Sequence, residues 1–117
     1  MENENKNEYS LIFTIVNKGS TDLVMEAARK AGGTGGTITG ARGTGNPELA
    51  KFYGFTIQPD KEIVFIVVKN EIADKVVKQI YDDAGISTRG QGITFTIPIT
   101  DVVGLTPFKK EEEKTEE

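Results

Sequence analysis

The chain contains no cysteine, no histidine and no tryptophan. Losing the first two together removes the commonest metal ligands, the usual general base and the usual thiol nucleophile. No carboxylate or lysine is singled out by its spacing for catalysis, so the expectation is a protein that is not an enzyme and holds neither metal nor covalent cofactor. No apolar run approaches the ~20 residues needed to cross a bilayer. The opening MENENKNE is polar and partly acidic, the opposite of a secretory signal. With cysteine also missing, a cytoplasmic location without membrane insertion is expected. Positive charge is scarce as well. The net charge is −4, of which the final KKEEEKTEE supplies −2, so no global basic field draws in a nucleic-acid backbone.

What is present divides simply. At 117 residues the chain is long enough for one domain with one core. Residues 1–8 read as a polar N-terminal extension and 9–106 as the folded domain. Residues 107–117 read as a charged, disordered tail, with Pro107 marking where the fold ends.

Glycine is concentrated in one place. Residues 32–45 read GGTGGTITGARGTG, with seven glycines, four threonines and Arg42 as the single charge. Such density suits sharp turns and close backbone approach, and it costs folding entropy. The segment reads as a strand, Thr37–Arg42, between two glycine turns, the second opening a ligand-facing loop.

Two similar units flank it. Tyr9–Val16 is rich in β-branched and aromatic residues and reads as a strand. Ser20 or Thr21 offers an N-cap hydroxyl to the helix DLVMEAARKA, whose apolar residues recur at three- and four-residue spacing, and Gly32 ends it. In the second unit Glu62–Val68 is nearly continuous apolar sequence, which predicts a central strand covered on both faces. Asn70 is the expected cap of a helix through Ala84, ended by Gly85. Ile93–Ile99 alternates as an edge strand in which Pro98 must sit where no ladder donor is needed.

The order β-α-β-β-α-β predicts an α+β, ferredoxin-like sandwich, an antiparallel four-stranded sheet with two helices on one face. The other face carries Tyr9, Leu11 and Phe13, then Ile63, Phe65 and Val67, too apolar for water, and this predicts self-association. Residues 43–60 form a connection far longer than a hairpin loop and include Leu49, Phe52, Tyr53 and Phe55. These suit a small packed cluster and a contact surface for a partner equally well.

The element order, the long loop after a TGGT strand and the turn TRGQGITF (Thr88–Phe95) together resemble the PII signal-transduction family, from Tyr9 to about Leu105. The resemblance implies a PII-like homotrimer that binds adenine nucleotides in inter-subunit clefts and controls a target protein, a membrane protein among the candidates, through its long T-loop. Carried onto this chain, the site comprises Ile15, Gly36, Thr37, Gly43, Val67, Gly90 and Gly92. Thr37 offers a hydroxyl to a base or ribose, the glycines expose N–H groups to phosphate, and Ile15 and Val67 form an apolar wall. Arg42 and Arg89, each beside a glycine turn, suit solvated surface positions, and would form an anion site if they converge across a subunit boundary.

The chain also departs from the family. Three phosphate-binding cations are replaced by Ile93, Gly104 and Thr106, and the acidic residue near the adenine is Phe65. The loop is shorter, has no clear counterpart of the glutamine associated with magnesium and 2-oxoglutarate, and Tyr53 does not match the family's modified tyrosine. The effector is therefore expected among ATP, ADP, AMP and cyclic forms, with mononucleotides gaining on ATP. Competing readings are an oligomeric scaffold with a degenerate site, an RNA-binding module of the same strand order, and a small acyl-phosphate hydrolase.

Overall fold

The structure is a computed structural model and describes residues 6–44, 54, 59–88 and 90–105. The elements follow the order β1 (Tyr9–Asn17), α1 (Thr21–Lys30), β2 (Thr37–Arg42), β3 (Asp60–Lys69), α2 (Asn70–Asp83) and β4 (Gly92–Ile99). They build one antiparallel sheet of order β2-β3-β1-β4. Both helices pack on one face. That is the ferredoxin-like arrangement the sequence pattern implies.

Period-two alternation sorts the strands. Ile12 and Val16 of β1 and Val64, Ile66 and Val68 of β3 point to the helices, where they meet Val24, Ala27 and Ala28 of α1 and Ala73, Val76 and Ile80 of α2. Thr14 is fully buried in this layer, and its hydroxyl is satisfied by Thr94 Oγ1 at 2.9 Å. Lys30 of α1 also reaches Asp83 of α2 at 3.3 Å.

The opposite face has no helix. Thr37, Phe65, Phe13 and Phe95 stand side by side across the four strands. The Phe13 ring meets Phe65 edge-on, with centroids 5.0 Å apart, and stacks on Phe95 at 4.9 Å. The next row places Ile63, Ile15 and Ile93 together, and Ile93 is 54% exposed. Within one protomer β3 is therefore interior to the sheet, with helices over one of its faces. A run of apolar residues says that both faces avoid water, not what covers each of them. Tyr9 differs from its neighbours on this face. By parity it belongs to the open face, yet it is only 7% exposed, at a cavity it shares with Leu105.

The helix caps differ from expectation. Ser20 precedes α1 without a side-chain cap bond. Lys69 takes the N-cap position of α2, and Asn70 opens the helix itself. The Asn70 side chain is engaged elsewhere: it accepts from Ser10 Oγ (2.6 Å) and donates to the carbonyl of Asn7 (3.0 Å). Tertiary partners outcompete the local cap. Gly32 and Gly85 end the helices with φ of +107° and +79°, as their placement implies.

Candidate functional site

The sheet has one end where β1 and β2 finish and β3 and β4 begin. There the chain leaves for the connection between β2 and β3, so the site-forming elements meet at the root of that loop. Gly43 donates its N–H to the carbonyl of Pro59 at 2.7 Å, which closes the root. A Cβ on Gly43 would lie 3.0 Å from Lys61 Cε, so glycine lets the chain lie against the lysine stem. Lys61 projects on the open face with Asn17, and its ammonium donates to Asn17 Oδ1 at 2.5 Å. Asn17 Nδ2 in turn donates to Gln91 Oε1 at 3.3 Å, just before β4. The neighbouring acid, Glu62, faces the other way and accepts the N–H of Gly19 at 2.9 Å.

Ile15, Thr37 and Val67 share the open face, because each lies at an odd position of its strand. Gly92 belongs with Ile15: a Cβ there would sit 2.7 Å from the Ile15 carbonyl oxygen. Gly90 lies just before β4 with φ of +83°. Gly36 precedes β2, where a Cβ would be 3.0 Å from the Phe65 carbonyl and 3.2 Å from Met25 Sδ. Arg42 closes β2 opposite Asp60, in the register that faces the helices rather than the Thr37 face. Arg89 and Thr106 lie outside the described residues, as do Leu49, Phe52, Tyr53, Phe55, most of the 43–60 loop and the 107–117 tail.

The set therefore falls into two halves on opposite sheet edges. Gly36, Thr37, Arg42 and Gly43 stand on or beside β2; Gly90 and Gly92 stand at β4; Ile15 and Val67 lie between them. One protomer does not bring the two edges together. Lys61 was not among the residues singled out from sequence. Its signal was available, since it alternates in step with Ile63, Phe65 and Val67.

The backbone of β3 supplies a further feature. Lys18 donates to the carbonyl of Asp60 (3.1 Å), so even positions of β3 bond towards β1, while Pro59 accepts from Gly43 on the β2 side. In an antiparallel ladder this alternation continues along the strand. Lys61, Ile63 and Phe65 therefore bond to Ala41, Thr39 and Thr37. Val67 is next in that series, but β2 begins only at Thr37. The N–H and C=O of Val67 face this side with no strand opposite, and no backbone bond among the described residues reaches them there. Val67 also lines a largely apolar cavity of about 380 Å³, together with Tyr9, Lys69, Ile72, Leu105 and the Gly32–Thr34 turn.

The sequence profile of the nitrogen regulatory protein P-II family matches residues 9–109. The chain belongs to the P-II family. Solved structures agree on the fold. The citrate-bound PII of Arabidopsis thaliana superposes with a TM-score of 0.65 at 24% identity, covering 86% of each chain. The CPII of Thiomonas intermedia K12, bound to ADP, AMP and acetate, gives a TM-score of 0.61 at 18% identity, covering 82% of this chain and 88% of that one. A comparison with curated protein sequences finds no significant match. No helix among the described residues is long and apolar enough to cross a membrane.

Proposed function

We propose that this P-II protein is a non-catalytic regulator that binds an adenine-nucleotide effector between subunits of a homotrimer and signals to a target protein through the 43–60 loop. The observation that carries the ligand reading is the Val67 backbone, a donor and an acceptor side by side with no strand opposite, on a residue that lines an apolar cavity. A base reads such a pair with its own acceptor and donor, while the apolar walls take its faces. The relative from Thiomonas intermedia is itself bound to ADP and AMP.

The divided site supports the assembly. β2 and β4 run in opposite directions on opposite edges of the sheet. Copies set edge to edge about an axis parallel to the strands keep every long loop at one end. Arg42 and Gly43 of one copy would then stand beside Gly90 and Gly92 of the next, and the phenylalanine face would turn inward. In that cleft Ile15 and Thr37 would flank the base, Gly36 would admit the close chain approach, and the glycine N–H groups with Lys61 would meet the phosphate chain.

Calorimetry with AMP, cyclic AMP, ADP and ATP, with and without magnesium and 2-oxoglutarate, tests the reading. Binding of AMP or cyclic AMP at least as tight as ATP is expected, because Ile93 supplies no charge at the phosphate end. Replacing Lys61→Met should weaken ADP and ATP more than AMP, because Lys61 lies six residues along β3 from Val67, about 20 Å, beyond the reach of a single phosphate. Absence of any nucleotide binding would leave the scaffold reading. The row of three phenylalanines also suits base stacking by single-stranded RNA, and salt-dependent RNA affinity without nucleotide binding would favour that reading instead.

A further inference from the structure

The cavity at Val67 has a lining residue that the candidate set does not include, Tyr9. Tyr9 pairs in register with Lys69 and Ile99, two positions further along β3 than Val67. Tyr9 is 7% exposed and lines the cavity with Ile72 and Leu105. Along β3 the Val67 carbonyl follows its N–H in chain direction, so the acceptor lies on the Lys69 side. An adenine that takes the N–H at N1 and gives its 6-amino group to the carbonyl therefore directs the second amino hydrogen along the strand past Lys69, into the cavity that Tyr9 lines from the β1 side.

We infer that Tyr9 is the specificity-determining residue of this pocket, closing it against adenine nucleotides that carry a bulky substituent on the 6-amino nitrogen. The inference rests on the nucleotide reading above and adds the size limit. At about 380 Å³ the cavity lies near the lower end of ligand pockets. The aromatic ring is the largest movable volume at that end of it.

The test is calorimetry with AMP and N6-benzyl-AMP on the full chain and on Tyr9→Phe and Tyr9→Ala variants. The unaltered protein should bind N6-benzyl-AMP at least about tenfold more weakly than AMP, a difference of about 1.4 kcal/mol. Tyr9→Phe keeps the ring and should keep that ratio. Tyr9→Ala should bring the two ligands within about threefold of each other. Tyr9→Leu, which also removes the ring, replaces the alanine variant if thermal unfolding shows that variant to be unfolded. AMP binding with an unchanged ratio in the ring-deleted variant overturns the inference and leaves the nucleotide reading intact. Equal binding of both ligands by the unaltered protein also overturns it. No AMP binding at all overturns both.

Discussion

Single residues in this fold are constrained by contact rather than by type. Gly92 is the clearest case, because a Cβ there would fall 2.7 Å from the backbone oxygen of Ile15. That oxygen cannot yield without opening the start of the β1–β4 ladder. Gly92→Ala should therefore lower stability by about 1–3 kcal/mol, measured as a shift in the urea midpoint at unchanged slope. Asp83 is a different kind of residue. The hydrogen bond from Gln79 lowers its pKa most among the favourable causes, with the bond and charge of Lys30 adding to it. A depressed carboxylate pKa contributes stability above the ordinary aspartate range, and this is lost as pH falls through the folded value. Asp83→Asn should lower stability slightly at neutral pH, with the difference closing as pH falls through the folded carboxylate range, so that the acid side of the profile flattens. The carboxylate is solvent-exposed, so the effect is small. Thermal unfolding of both proteins at acid and neutral pH checks it.

Elements were legible where local pattern and tertiary demand coincide. The span Thr37–Arg42 is the observed β2, because glycine on both sides leaves only that stretch able to extend. Pro98 falls where the pattern required. Odd positions of β4 bond to β1, and its even positions face outward, so the missing N–H of Pro98 costs no ladder bond. The same register separates two neighbouring substitutions. Ile97→Pro deletes a bond to Leu11, whereas Thr96→Pro deletes an outward donor. The first should be the more destabilising by about 1–3 kcal/mol, read from urea unfolding. Caps were less legible. Asn70 has the right chemistry for an N-cap, but Ser10, sixty residues away, holds its side chain.

At the scale of the whole molecule, the uncovered face decides the behaviour. Phe13 touches both Phe65 and Phe95 at the centre of that face. A charge placed there would be desolvated without a partner on assembly, yet it would remain in water in a lone protomer. Phe13→Asp should therefore convert the proposed trimer to a monomer with unchanged helix content, seen by light scattering and far-ultraviolet circular dichroism. A monomeric starting protein would instead contradict the inter-subunit site. Loss of assembly should abolish nucleotide binding as well, since the β2 and β4 halves of the site lie on opposite edges.

The sequence by itself determined the element order, the two glycine stops, the apolar open face and the P-II membership, because each rests on local periodicity or on motif spacing along the chain. Only the tertiary structure decided which groups meet. It set Lys61 against Gly43 and Asn17, buried Tyr9 beside a cavity, and left the Val67 backbone without a strand opposite. These depend on strand register and on where one strand stops beside another. Such relations join residues distant in the chain, and neither composition nor local propensity carries them.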